Sequence, residues 1–319
     1  MKKITLGCLI IGLLSGQVYA NFTARDDVSK WLSEAGDLGF TQTQVLQYLA
    51  QTKAKPSIVP VLRNAPENKL TWGGYQKRLV TASRIKLGQA FLEKNAASLN
   101  LVAQKTGVDA AIIAAIAGIE SHYGTNMGKH LALRVLATLS FDYPRRSEFY
   151  QRQLAEFFRL CYSQGLDPTQ VKGSAAGAVG MGQFIPTSYR DFAVDGDGDE
   201  RIDLFSSVDD NIASIAHYLE RHRWQAGKPW LLRVDASIEP AWVSKKAKRQ
   251  GVPLSQWKTR GISLPSSTDV DEFNLYAFST ENGDEYRLGG ANFYAITRYN
   301  HSLWYARAVV EIAQGIAQN

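Results

Sequence analysis

Ala110-Ala111-Ile112-Ile113-Ala114-Ala115-Ile116-Ala117-Gly118-Ile119-Glu120-Ser121-His122-Tyr123-Gly124 is the stretch on which the fold turns. Ten uncharged, mostly apolar residues run without a break into one carboxylate, and a glycine follows shortly after. Alanine at this density favours helix, and a helix that is apolar on every face belongs inside a protein. Ten residues fall short of the about twenty needed to span a bilayer. The stretch therefore reads as a buried helix, with Asp109 as its N-cap and Glu120 at its C-terminal end. Three effects there raise the pKa of an acid: lost hydration, the negative end of the helix dipole, and the absence of a basic neighbour in the adjacent sequence. A carboxylic acid kept protonated near neutral pH is what a general acid has to be. Read alone, the stretch favours the plainer alternative, a helix-terminal glutamate that reaches solvent.

Toward the N-terminus, Val28, Trp31, Leu32 and Ala35 recur at helical spacing, and Thr41-Gln42-Thr43-Gln44 opens a second helix. Trp72-Gly73-Gly74-Tyr75 precedes one longer helix holding Leu79, Ala82, Ile85 and Leu92. Apart from Tyr75, these positions read as core. Toward the C-terminus come a helical stretch from Met127 to Ser140, the pair Arg145-Arg146 behind Pro144, and an amphipathic helix from Ser147 to Gln164. Two adjacent arginines are either a solvated helix start or a bidentate clamp for a carboxylate.

Gly173-Ser174-Ala175-Ala176-Gly177-Ala178-Val179-Gly180-Met181-Gly182-Gln183-Phe184 is rich in small residues, which let backbone approach a ligand or a neighbouring element closely. With no Lys-Ser/Thr ending and no preceding strand, it does not match a phosphate-cradling loop; a tight, closely packed helix entry is the plainer alternative. Asp195-Gly196-Asp197-Gly198-Asp199-Glu200-Arg201-Ile202-Asp203 follows, with carboxylates at loop positions 1, 3 and 5, as in the first half of a calcium-binding EF-hand loop. Glu200 stands where that pattern has glycine, and Ser206 where it has a bidentate glutamate, so a last ligand has to come from Asp209 or Asp210. The alternative is an acidic surface turn, but three aspartates this close repel one another unless a cation is present. A helix from Asp210 follows. Residues 226–284 then turn strand-like, with Asn282-Gly283 as a hairpin turn and Lys245, Lys246, Lys248 and Arg249 as a solvated helix face. A tyrosine-rich segment, Asn292 to Tyr305, leads into the last helix.

The chain has 319 residues, 45% of them hydrophobic, enough for one large or two modest cores. Lys2 and Lys3, an apolar run from Ile4 to Leu14, and Val18-Tyr19-Ala20 form an export signal cleaved before Asn21. Cys8 lies too early in the apolar run for a lipoprotein anchor. Loss of the signal lowers the formal charge from +6 to +4 and leaves Cys161 as the only thiol, so no internal disulfide is expected. The small basic excess favours an anionic partner or surface and argues for no nucleic acid. The five histidines show no metal spacing.

In order along the chain, Ala117 to Gly124, Tyr143-Pro144-Arg145-Arg146, Ala176 to Pro186, the Asp-rich loop and Asn292-Phe293-Tyr294-Ala295-Ile296-Thr297-Arg298-Tyr299-Asn300 resemble the bacterial lytic transglycosylases of the B type. The likeness runs from about Asn21 to the C-terminus and is weakest over 226–284. It implies a mainly α (α+β) fold: a helical N-terminal domain (21–105) after the signal (1–20), a lysozyme-like core (106–225 and 285–319), and a small β-containing insert (226–284). It implies a periplasmic enzyme that cleaves the MurNAc–GlcNAc β-1,4 bond of peptidoglycan and leaves 1,6-anhydroMurNAc ends. Carried over by position, Glu120 is the sole catalytic carboxylate. Tyr75, Ser174, Gln183, Tyr218, Tyr299, Asn300 and Tyr305 line the sugar cleft, and Arg145 and Arg146 face the peptide-bearing part of the substrate. Asp195, Asp197, Asp199, the Arg201 carbonyl and Asp210 hold a structural Ca²⁺, with Asp210 favoured over Asp209 as the last ligand; no cofactor serves catalysis. The implied partners are peptidoglycan glycan strands, with cell-wall synthases as further candidates, and the protein is expected to be a monomer without stable membrane insertion. Two other readings stay open at this point: a hydrolytic muramidase of lysozyme type, and a non-catalytic, calcium-dependent wall-binding protein.

Overall fold

The computed structural model describes residues 21–63, 71–262 and 272–318. The expected export segment, Cys8 included, lies outside the described residues. Helices dominate: α1 (Asp26–Glu34), α2 (Gln42–Ala50), α3 (Ile58–Arg63), α4 (Trp72–Leu79), α5 (Ala82–Lys94), α6 (Ala96–Thr106), α7 (Ala110–Ser121), α8 (Ala132–Asp142), α9 (Ser147–Ser163), α10 (Pro186–Phe192), α11 (Val208–Arg221), α12 (Leu254–Thr259), α13 (Ala291–Tyr299) and α14 (Leu303–Ala317). The strands are β1 (His130–Leu131), β2 (Lys172–Gly173), β3 (Leu232–Val234), β4 (Val252–Pro253), β5 (Glu272–Thr280) and β6 (Gly283–Gly289).

The apolar stretch is α7, and its residues from Ala111 to Gly118 are all buried. It packs against α5, α6, α11 and α14, and a helix enclosed in this way can afford no polar face. Asp109 occupies the N-cap position in extended backbone but makes no side-chain cap. Its carboxylate instead accepts from Trp230 Nε1 at 2.9 Å, so it fastens the chain beyond α11 to the central helix. No single helix among the described residues is long and apolar enough to cross a membrane.

The expected longer helix after Trp72 is two helices. Val80 leaves helical backbone (φ −90°, ψ 80°), and Thr81 caps α5 by accepting from the Arg84 amide at 3.2 Å. A threonine hydroxyl satisfies an otherwise orphaned N–H there, which a continuous helix could not use. At α2, Thr41 and Gln44 form the reciprocal capping box that their spacing predicts. Met127–Gly128 precede the helical region rather than joining it: α8 begins at Ala132, because His130 and Leu131 pair with Gly173 and Lys172.

The sheet of the insert runs β3-β6-β5-β4, each neighbour antiparallel. Alternation along β5 explains its burial on both faces: Phe273 and Leu275 enter a small core with Leu254, Trp257 and Leu288, while Tyr276 and Phe278 join the main core. Thr280 pairs with Gly283, so the turn residues are Glu281 and Asn282, and Gly283 takes φ +106° as the first residue of β6. β6 runs on to Gly289, past residue 284. Lys245, Lys246, Lys248 and Arg249 do not form the expected helix face. Their backbone is taken by the insert, with Asn274 Nδ2 donating to the carbonyls of Lys248 (3.1 Å) and Gln250 (3.2 Å). Arg307 of α14, 2% exposed, ties insert to core by pairing with Glu285 and Glu311 while lying over the rings of Trp72 and Phe278.

Candidate active site

The end of α7 is built to present Glu120. His122, Tyr123 and Gly124 all take positive φ (52°, 59° and 84°), which turns the chain sharply away. The Tyr123 amide reaches back to the Ala117 carbonyl at 3.1 Å, and the Asn126 amide to that of Ser121 at 2.8 Å. Two consecutive non-glycine residues in the left-handed region are costly, and packing offsets the cost: the Tyr123 hydroxyl donates to the Arg84 carbonyl at 2.8 Å.

Glu120 keeps an opening to solvent, but its carboxyl is enclosed deeply enough that burial raises its pKa from 4.5 to about 7. The Tyr305 hydroxyl, donating to Oε1 at 2.6 Å, opposes that rise by stabilising the carboxylate. Burial and the Glu120 charge hold the Tyr305 and Tyr299 hydroxyls well above their ordinary pKa, so both remain donors. Tyr299 donates to the Gly182 carbonyl at 2.6 Å, which links the C-terminal helices to the small-residue loop. A Cβ at Gly182 would lie 2.9 Å from that hydroxyl, so this position must be glycine for the ring to seat.

The loop itself is a set of turns rather than a helix entry; α10 begins only at Pro186. Gln183 takes φ +51°, and its Nε2 donates to the carbonyls of Met127 (3.2 Å) and Gly180 (2.9 Å). The Ser174 hydroxyl accepts from the Ala176 and Ala178 amides at 3.2 and 3.1 Å, shaping the loop. Tyr75, 4% exposed, has its ring 5.7 Å from that of Trp304. Tyr218 lies behind Tyr299, ring centroids 4.7 Å apart, and donates to the Arg298 carbonyl at 2.6 Å. Asn300 is exposed, and its side chain accepts from the Ser302 amide at 3.1 Å. Arg145 and Arg146 are exposed on a single 3₁₀ turn, with the Arg146 guanidinium 4.2 Å from the centre of the Phe149 ring. Neither makes a hydrogen bond to the cluster around Glu120.

Arg84 and Trp304 escaped sequence reasoning. Arg84 Nε donates to the Gly118 carbonyl at 3.2 Å, and its Nη1 to the carbonyl of Leu79, so one guanidinium holds the ends of α4 and α7. Its helix carried no signal beyond an arginine on an amphipathic face.

At the Asp-rich loop, ligand atoms of Asp195, Asp197 and Asp210 lie within 4.8 Å of one another. Asp210 is buried in the first turn of α11, and burial, with the charges of Asp197 and Asp195, raises its pKa. Asp209 points elsewhere and accepts from the Ser98 hydroxyl. The Asp199 carboxylate accepts from the Arg201 amide at 2.8 Å and is not one of the converging three. Three hard, anionic oxygens at this spacing fit a divalent cation that prefers oxygen ligands.

The chain matches the transglycosylase SLT domain over residues 23–314. It belongs to that family. It is 33% identical over 314 residues (95% of this chain, 85% of the relative) to membrane-bound lytic murein transglycosylase B of Escherichia coli (strain K12). The structure of the Escherichia coli lytic transglycosylase Slt35 in complex with calcium is similar at 32% identity and a TM-score of 0.84, over 93% of this chain and 95% of that one. SltB3 of Pseudomonas aeruginosa in complex with NAG-NAM-pentapeptide is similar at 31% identity and a TM-score of 0.81, over 91% and 79%. The mainly α, lysozyme-like fold is that of these lytic transglycosylases.

Proposed function

We propose that Glu120 is the catalytic acid and then the base of a lytic murein transglycosylase acting on the MurNAc–GlcNAc bond. That the chain is a lytic murein transglycosylase follows from its family and relatives; the residue roles are our reading. The observation that carries it is a carboxyl with a pKa of about 7 beside two tyrosine hydroxyls, at the open end of a buried helix. At that pKa a large share of the groups carry the proton near neutral pH. Glu120 gives it to the glycosidic oxygen as the bond to the anomeric carbon breaks. The substrate's N-acetyl group stabilises the oxocarbenium-like centre. The Glu120 carboxylate then takes the proton of the sugar's own 6-hydroxyl as that oxygen bonds to the anomeric carbon, which closes the 1,6-anhydro ring and returns Glu120 to its protonated form. Glycosidases usually need a second carboxylate, except where the substrate assists. Among the described residues no acidic side chain is among the groups that shift the Glu120 pKa, which supports the assisted route.

Around this acid, Tyr75, Ser174, Gln183, Tyr218, Tyr299, Asn300 and Tyr305 would contact sugars, and Arg145 and Arg146 the peptide. Asp195, Asp197 and Asp210, with Asp199 and the Arg201 carbonyl, would hold Ca²⁺ as a structural ion. We further propose a periplasmic location after cleavage at residue 20, and a helical domain (21–105) and insert (226–284) flanking the core. Glu120→Gln keeps the shape and removes the proton, so solubilisation of murein should fall by at least about 10³-fold, a loss of roughly 4 kcal/mol of transition-state stabilisation. A variant as active as wild type would end the assignment. Wild-type products heavier by one water, with reducing ends, would end the ring-closing mechanism.

A further inference from the structure

A cavity of about 290 Å³ opens where the end of α11 and the face of α13 meet the insert, and four arginines line it: Arg221, Arg223, Arg249 and Arg298. None of the four pairs with a carboxylate among the described residues, and no acidic residue lines the cavity. Like charges gathered without counter-charge repel; water and salt screen that repulsion at the exposed Arg221, Arg223 and Arg249, and a bound anion would relieve it further. Arg298 is the most constrained of the four. Its guanidinium lies 4.3 Å from the centre of the Tyr294 ring, and its buried Nε has no hydrogen-bond partner among the described residues.

Position adds a second argument. Among the described residues five non-glycine positions have positive φ: His122, Tyr123, Gln183, Glu200 and Arg223. Four of them shape the Glu120 turn, the small-residue loop and the Asp-rich loop; the fifth, Arg223, lines this cavity. At Arg223 this conformation ends α11, with its amide donating to the Glu220 carbonyl at 2.8 Å and the Trp224 amide to that of Leu219 at 3.0 Å, and the turn sets Arg223 beside the cavity. Ring contacts also connect the cavity to the residues beside Glu120: His222, on its lining, stacks on Tyr218 at 4.2 Å, and Tyr218 packs on Tyr299.

We propose that this arginine-lined cavity is a carboxylate subsite that takes the free C-terminal end of a stem peptide carried by the glycan strand. The proposal rests on the murein reading above. A peptide joined to a sugar through its N-terminus ends in a carboxylate, which guanidinium groups bind bidentately, and Arg145 and Arg146 sit on a different element, so one strand could be held at two points. The test has two parts. Calorimetry on the wild-type protein compares the free pentapeptide with its C-terminal amide; the acid should bind at least about tenfold more tightly, as expected for loss of a charge-assisted contact. In the Arg223→Gln/Arg249→Gln double variant, both exposed positions, the KM for peptide-bearing strands relative to peptide-stripped strands should rise about tenfold. Equal binding of acid and amide overturns the proposal, as does an unchanged KM ratio in a variant with wild-type melting temperature. Saturable binding of inorganic phosphate without binding of the pentapeptide overturns it too, in favour of a phosphate site. Peptide calorimetry does not involve Glu120, so failure of the catalytic reading would show separately, as an active Glu120→Gln variant.

Discussion

Glu120→Gln should make the protein more stable at neutral pH while destroying its activity. The sign follows from linkage. In the unfolded chain the carboxyl titrates near 4.5, and in the folded protein near 7. Below pH 4 both states hold the proton and the residue costs nothing. Between the two values the folded state binds more protons than the unfolded one, so stability falls as pH rises, and above about 7 the full penalty applies. At about 1.4 kcal/mol per pH unit, the span from 4.5 to about 7 caps that penalty at about 3.5 kcal/mol. The opening to solvent lets water soften it, so about 1–2 kcal/mol is the working figure. Glutamine has the same shape and no charge, and its carbonyl still accepts from Tyr305. The variant should therefore match wild type at pH 4 and melt about 2–3 °C higher at pH 8, from the usual slope for a chain of this size. Calorimetric melting at the two pH values reads the difference directly. A variant that melts no higher than wild type at pH 8, or higher by the same amount at both pH values, would refute a carboxyl held protonated by burial.

Tyr305→Phe removes the hydrogen bond that favours the Glu120 carboxylate, so the alkaline limb of kcat/KM should move up by about one pH unit; a limb that stays or moves down contradicts the assigned geometry. Gly182→Ala places a Cβ 2.9 Å from the Tyr299 hydroxyl and 3.3 Å from Ile215, so the ring must shift, with an expected loss of about 1–3 kcal/mol in stability and at least about tenfold in kcat/KM; unchanged kinetics would remove Tyr299 from the working cleft. Saturating Ca²⁺, at about a hundred times its Kd, should stabilise the folded state by about 2.7 kcal/mol and chelation should undo this, with Asp210→Asn abolishing the response; melting curves that superimpose in EDTA and Ca²⁺ would dismiss the loop as an ion site.

What could be read in advance is what local sequence controls. The all-apolar surface of α7 encodes its burial, since nothing else tolerates such a helix, and the Thr41–Gln44 pair encodes its own cap. Errors fell where tertiary partners decide. Asp109 has the chemistry of a cap but is claimed by Trp230, 121 residues away. The basic run at 245–249 has helical charge spacing, yet Asn274 from β5 takes the carbonyls of Lys248 and of Gln250 just beyond it. The helix after Trp72 breaks at Val80-Thr81 because threonine can serve as a cap as readily as a helix residue.

The acid illustrates the same division more sharply. Its position at a buried helix end was legible, and so was the direction of its pKa. Of the three causes expected, burial dominates. The absence of a basic neighbour holds only along the sequence: Arg84 arrives through the fold and donates to the Gly118 carbonyl, two residues before Glu120. Its guanidinium donates to the carbonyls of Gly118 and Leu79 and is not among the groups acting on Glu120, whose pKa stays high through burial. The group that does act on it, Tyr305, is 185 residues away on α14. α14 packs against both α7 and α5, the helices that carry Glu120 and Arg84. One packing arrangement therefore buries the carboxyl and brings a neutral donor to it. In the reaction proposed above, that combination would let a single carboxyl act as acid and then as base, and it depends on the assembled helices rather than on the local motif.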